Sequence, residues 1–320
     1  MNIITIGIYL TEDKKEGISW PKFIKLCEDY NNRNIIHGNQ IELVDITENN
    51  YKTVKFKFIL AKFDEFYMNN TVNENLLTWM STQNNLIDPL NSQMNLGNRL
   101  IMADKLTEIC TNFEKLFVPE YIYMTKLNYC PELKFPIICK PNIAFGSSIA
   151  HSMCIVNNFE SLTTAKIYLP VFLQTFYEHG SIIFKVYVVK DNISVCIKNS
   201  ISFCDSVVNN FEKNDDNQEE QKKLTDNSQN KEIIYFDTSD LKKVCLNISK
   251  GEIDDLLELL KEEVDLNSLS KIISKTFGVS LFGYDLIKVG NMYAIIDVNY
   301  FPGYNGSPEF HTNLLNYFIG

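Results

Sequence analysis

The sequence predicts a mixed α/β (α+β) protein of two or three packed units. Three observations carry this. The chain has 320 residues, more than one hydrophobic core usually serves. Its first ninety residues alternate strand and helix signals, and from Phe135 onward short β-rich runs follow one another closely before a helical stretch and a closing hairpin.

Taken in order, Ile3 to Leu10 reads as a buried first strand. Trp20-Pro21 opens an amphipathic helix through Tyr30, with proline in the first turn where its missing N–H costs little. Ile41 to Ile46 and Val54 to Ala61 read as further strands, and Asp88-Pro89 breaks the pattern before helical spacing resumes over Leu96 to Phe113. Pro136 to Cys139, Met153 to Val156, Val171 to Phe176, Ile182 to Val189 and Ile193 to Ile197 suggest one mainly antiparallel sheet. Ile253 to Phe277 returns to helical periodicity, and Leu281 to Ile287 with Tyr293 to Tyr300 forms a hairpin turning at Gly290-Asn291. The expected units are 1–92, 93–188 and 189–320, with a polar insertion near 205–232 too poor in large apolar residues to offset the entropy of ordering.

Composition excludes some functions. With 45% apolar and 22% charged residues and no apolar run long enough for a membrane helix, the expectation is a cytoplasmic protein without a membrane partner. Net charge −10 argues against general nucleic-acid binding, which draws on a broad positive field. That balance is local. Residues 205–240 hold ten acidic and four lysine residues and 252–265 hold seven and one, so the two stretches carry −12 and the rest of the chain +2. An anionic ligand therefore needs a local group of cations. The eight scattered cysteines show no C-x-x-C and no metal-ligand spacing with the four histidines, and read as reduced core residues.

The closing hairpin carries the chemistry. Asp297 and Asn299 fall two apart on one sheet face, and Asp285 lies on the preceding strand. A three-residue loop centred on Asn291 sets Asp285 opposite Asp297; a two-residue loop pairs Asp285 with Ile296 and turns the acid to the wrong face. Two carboxylates and an amide oxygen on one face suit a hard divalent cation such as Mg²⁺, against the bland alternative of a half-exposed polar face. The turn after the acids contains Gly303, which permits close approach of another group.

The segments "FGYDLI" and "AIIDVNYFPGYNG", with "FPIICKPN", "VFLQTFYEHG" and "IFKVYVV" upstream, resemble the inositol 1,3,4-trisphosphate 5/6-kinases, an ATP-grasp family. The resemblance runs over almost the whole chain. It implies two α+β subdomains sandwiching the nucleotide, preceded by a small α/β inositol-phosphate-binding domain, in a monomer. It implies that Asp285, Asp297 and Asn299 hold two Mg²⁺ ions on the phosphates of ATP, that Lys140 contacts ATP phosphate, and that Ala144 to Ser148 forms the loop over the phosphates. Gln174, Thr175, Phe176 and Tyr177 match the hinge that reads adenine mainly through its backbone. Arg99, Lys198 and Ser200 match further nucleotide contacts, although the family's basic residue at 198 is often arginine. Lys185 matches a lysine near both nucleotide and substrate and joins the three metal ligands as catalytic.

For the inositol phosphate, the resemblance selects Lys14, with Lys15 as the alternative, Lys62, His151, Asn299 and Gly303. Direct phosphoryl transfer needs positioning and charge stabilisation more than covalent chemistry, so no nucleophile is assigned. The rival readings are an ATP-grasp ligase acting through an acylphosphate and a non-catalytic inositol-phosphate-binding module. Lysine-bearing loops in the first unit favour the kinase over the ligase, and the intact metal ligands disfavour the module.

Overall fold

A computed structural model describes residues 2–34, 38–63, 73–144, 148–201, 233–237 and 248–320. The polar insertion near 205–232 and residues 145–147 of the expected phosphate loop lie outside the described residues.

The first unit is a parallel sheet in the order β2-β1-β3-β4, with β1 at Asn2–Tyr9, β2 at Asn39–Asp45, β3 at Phe58–Ala61 and β4 at Leu86–Ile87. Ile4, Ile6 and Ile8 alternate onto one face of β1, where Trp20, Phe23 and Cys27 of α2 (Trp20–Arg33) cover them. Thr11 caps α1 (Glu12–Gly17) by accepting from Lys14 N, and Asn73 caps α3 (Glu74–Ser81) by accepting from Leu76 N. Because β1 and β3 are parallel, the segments following both emerge at one edge of the sheet. That edge carries Lys14, Lys15 and Lys62 together, at the carboxyl ends of the strands where α/β sheets present ligand sites.

A short helix not expected from the sequence, α4 (Leu90–Leu96), stops at Gly97. The helix expected over 96–113 follows as α5 (Arg99–Cys110), capped by Asn98, which accepts from Leu100 N and Ile101 N. The helix expected over 253–277 is divided, into α7 (Lys250–Glu263) and α8 (Leu266–Phe277), because Asp265 caps the second by accepting from Ser268 N.

The five β runs expected in one sheet belong to two. The antiparallel sheet β12-β8-β7-β9-β6 contains β6 (Tyr121–Met124), β7 (Ile137–Pro141), β8 (Ser152–Val156), β9 (Val171–Thr175) and β12 (Ile233–Asp237), backed by α6 (Phe159–Thr164). The other sheet runs β11-β10-β13-β14-β5 and contains β5 (Leu116–Phe117), β10 (Ile182–Val189), β11 (Asn192–Asn199), β13 (Leu281–Val289) and β14 (Met292–Tyr300). An edge between 188 and 189 would cut β10, which pairs along its length with β11 and β13; the chain passes between the sheets over 176–181 instead. The exchange is mutual, since β5 joins the later sheet and β12 the earlier one.

The C-terminal helix α9 (Phe310–Ile319) packs back on α2, with Phe318 against Phe23 and Phe58 at ring separations of 6.1 and 5.5 Å. One continuous core thus joins the first unit to the β10–β13–β14 sheet. Burying Phe318 alone contributes about 2–3 kcal/mol. Among the described residues, no helix is long and apolar enough to cross a membrane.

Candidate active site

The β13–β14 hairpin turns through two residues, Gly290 and Asn291, and its ladder starts at Val289↔Met292. Of the two loop lengths the sequence allows, this is the shorter. The acids still face one another, because a β-bulge leaves Ile296 unpaired and restores Asp285↔Asp297 beyond it. The carbonyl of Ile296 accepts a hydrogen bond from Lys140 Nζ at 3.3 Å.

Registers across four strands define the face. Cys196, Lys185, Asp285 and Asp297 form one lateral row, and Ser194, Tyr187, Gly283 and Asn299 form the next. Paired residues share a sheet face, so the lysine and three oxygen donors converge. Lys185 Nζ donates to both Asp285 oxygens, at 2.6 and 2.8 Å. Burial opposes the charge on Lys185, but Asp285 more than offsets it and holds the lysine above its ordinary range. Asn299 donates to Asp297 Oδ2 at 3.1 Å. The donor set is all oxygen with two formal charges, and Asp285 already binds an ammonium through both oxygens. These residues therefore fit a hard divalent cation.

Two further cations reach this face from other elements. Arg99, 3% exposed, approaches Asp297 at 3.5 Å and donates to the carbonyls of Pro141 and Ala150 at 2.9 and 3.3 Å. Burial pulls its pKa down against the pull of Asp297. Lys140 donates to Gln174 Oε1 at 2.8 Å, and burial together with the charge of Arg99 lowers its pKa to about 8. Gln174 and Lys140 sit on neighbouring strands of the β7–β9 sheet with their side chains on the face toward β14. Thr175 alternates to the opposite face with Val171 and Leu173, and its buried hydroxyl is unpartnered.

Around the expected hinge, His179 binds Tyr177 O and Ser200 Oγ, both at 2.7 Å, and its ring lies edge-on to Phe176. The Ser200 hydroxyl is thus engaged by His179. Lys198 is on the Cys196 face of β11, and a methyl added at Gly306 would lie 3.3 Å from its Nζ, which places this lysine beside the 303–307 turn.

That turn is held from several sides. Lys14 Nζ donates to the carbonyls of Phe301 and Pro302 and lies 4.0 Å over the Phe301 ring. Lys15 instead pairs with Glu12 and Asp45 at 2.9 and 3.1 Å. Tyr187 donates to Asn305 O at 3.0 Å, Tyr304 to Val188 O at 3.0 Å, and Ser194 and Ser307 hydroxyls meet at 2.7 Å. Tyr187, His179 and Ser194 are not among the residues the sequence singles out, although alternation puts Tyr187 on the face of Lys185. Lys62 lies just past β3, its N–H bonded to Tyr9 O at 3.1 Å, and His151 is exposed at the end of the 3₁₀ turn Ser148–His151.

Comparisons with known proteins match this architecture. The profile of the inositol 1,3,4-trisphosphate 5/6-kinase ATP-grasp domain matches residues 109–320. Inositol-tetrakisphosphate 1-kinase 1 of Arabidopsis thaliana is 31% identical over 243 residues, covering 70% of this chain and 68% of the relative. Inositol-tetrakisphosphate 1-kinase of Danio rerio is 24% identical over 344 residues, covering 98% and 77%. Among solved structures, D-alanine–D-alanine ligase of Bacillus anthracis with ATP superposes with a TM-score of 0.56 at 15% identity, covering 100% of this chain and 96% of the ligase, a likeness of fold. The fold, the oxygen-donor face between two sheets and these matches place the chain in the inositol 1,3,4-trisphosphate 5/6-kinase family of ATP-grasp enzymes, as an ATP-dependent inositol phosphate kinase.

Proposed function

We propose that the chain transfers the γ-phosphate of ATP to the 5- or 6-hydroxyl of inositol 1,3,4-trisphosphate and also acts on inositol 3,4,5,6-tetrakisphosphate at the 1-position. The observation that carries this is the lateral row in which Lys185 lies against Asp285, with Asp297 and Asn299 on the same face. Asp285, Asp297 and Asn299 would hold two Mg²⁺ ions, whose charge offsets that of the phosphates.

Lys140, Gln174 and Arg99 form the nucleotide side of the cleft, with the 174–177 backbone as the adenine hinge. Lys140 and Lys185 spread charge off the transferring group, which is the main demand of in-line phosphoryl transfer. The acceptor lies between this face and the first unit, where Lys14, Lys62, His151 and Gly303 surround it. Lysines bind phosphates as point charges and tolerate more than one ring orientation, which suits two neighbouring hydroxyls as acceptors. The three units work as an acceptor domain and two nucleotide-binding subdomains in a cytoplasmic monomer.

The test is incubation with Mg-ATP and a panel of inositol tris- and tetrakisphosphates, with amino acids as alternative acceptors and product positions assigned by NMR. Phosphorylation of the named hydroxyls is expected; amide formation or no inositol phosphate product would reject the reading.

A further inference from the structure

Cys139 and Cys154 face one another in register across β7 and β8. Register continues the row to Leu173 on β9 and Tyr235 on β12, so both thiols lie on the sheet face away from Lys140. Both are almost fully buried, at 2% and 1% exposure. A small open cleft nevertheless has both among its lining residues, walled by Lys166 and the half-exposed Tyr168 and Tyr235. The Tyr235 hydroxyl accepts from Lys166 N at 2.8 Å and fixes that wall. The two thiols differ in acidity: the neighbouring Cys154 and burial raise the pKa of Cys139, and Cys139 lowers that of Cys154. Cys154 is thus the better nucleophile of the pair.

We propose that Cys139 and Cys154 form a redox-sensitive thiol pair, closed to a cross-strand disulfide by a hydroperoxide entering this cleft, and that closure weakens nucleotide binding. The Cys154 thiolate attacks the peroxide and the O–O bond breaks; with the proton that left the thiol returned from solvent to the departing oxygen, a sulfenic acid and one water (for hydrogen peroxide) result. The Cys139 thiol then displaces the hydroxyl of the sulfenic acid as a second water, leaving the disulfide. Facing Cβ atoms in antiparallel sheets stand about 4.5–5.5 Å apart, whereas a disulfide needs about 3.8 Å, so the strands must draw together. Lys140 follows Cys139 directly and moves with it. The consequence for the nucleotide rests on the proposed role of Lys140; formation of the bond does not.

The test treats the full chain with hydrogen peroxide, maps its peptides without reduction by mass spectrometry, and measures Mg-ATP affinity by calorimetry before and after. The expected result is a peptide linking Cys139 to Cys154 and an affinity lowered about tenfold, as loss of one charge-assisted contact produces, with both reversed by dithiothreitol. Cys154→Ser should bind Mg-ATP normally and lose the peroxide response, while Cys130→Ser should retain it. Oxidation of the exposed Cys130 with Cys139 and Cys154 left as separate thiols would overturn the proposal, as would a linked pair with unchanged affinity. If the reduced chain binds no ATP, the nucleotide reading fails and with it the switch, while the peptide map still decides the pair.

Discussion

Asp285 faces Asp297 because Ile296 is left out of the ladder between them. A two-residue turn alone would set Asp285 against Ile296 and carry Asp297 to the other face. The bulge corrects the register and frees the Ile296 carbonyl for Lys140, so one irregularity aligns the carboxylates and ties the two sheets together.

Lys185 fills the cation requirement of Asp285 in the free protein. Lys185→Met should lower kcat by about 10²–10³-fold, the loss expected when a positioned charge is removed from a transition state. It should also destabilise the fold by about 3 kcal/mol, because a buried carboxylate loses its partner. Mg²⁺ should restore part of that loss, raising the melting temperature of Lys185→Met more than that of the wild type. Equal Mg²⁺ shifts in thermal unfolding would remove Asp285 from the metal site.

The proposed contact of Lys140 with ATP phosphate makes nucleotide binding depend on pH. Its pKa in the folded chain is about 8, below that of a free lysine, because burial and Arg99 disfavour the charge. Nucleotide phosphate favours the charged form. Binding above about pH 8 therefore takes up a proton, and apparent ATP affinity should fall with rising pH, approaching about tenfold per unit. Calorimetry in buffers of different ionisation enthalpy measures the uptake, which Lys140→Met should abolish.

Asp88 acts on stability with the opposite sign to most carboxylates. It accepts from Ser280 N, Ser280 Oγ and Leu281 N at 2.6, 2.7 and 2.9 Å, tying the end of the first unit to the start of β13. Burial outweighs these bonds and raises its pKa to about 6. The folded state thus keeps this proton to higher pH than the unfolded chain, whose carboxyl titrates near ~3.9. The group favours folding most below ~3.9, and that contribution is lost as pH rises through about 6, roughly 3 kcal/mol in all. Asp88→Asn keeps one acceptor and removes the titration. Its stability relative to the wild type should increase between about pH 4 and 6 in paired denaturant curves.

Much of this was legible in the sequence. The period-2 spacing of Asp297 and Asn299 gave a shared face without any partner, and Asp285 followed once a register was assumed. The bulge at Ile296 was not legible, since no glycine or proline marks it and only the opposing strand defines it. Membership of the two sheets was hidden for the same reason: Val171 to Thr175 and Ile182 to Val189 read alike, and only their partners differ. The bond from Lys14 to Phe301 spans 287 positions and has no local signal. Cys139 and Cys154 read as unrelated core thiols until pairing of β7 with β8 placed them face to face.

Gly283 tests whether the 301–303 turn belongs to the proposed acceptor side. It sits between Tyr187 and Asn299 in the lateral row, and Pro302 crosses over the space where a side chain would be. A methyl there would lie 3.0 Å from the Val186 carbonyl, 3.2 Å from Pro302 Cγ and 3.2 Å from the Tyr187 ring. The backbone carbonyl cannot yield cheaply, so Gly283→Ala should lift Pro302 and the Gly303 turn behind it and cost about 1–3 kcal/mol of stability. The nucleotide contacts proposed on β7 and β9 are on the other sheet, and of the proposed metal ligands only Asn299 faces Gly283, so the effect on ATP should be the smaller. Steady-state kinetics should therefore show KM for inositol phosphate raised about tenfold or more with KM for ATP raised by a smaller factor, since removing ground-state contacts acts on KM. Equal changes in both constants would mean that the turn does not belong to the acceptor side.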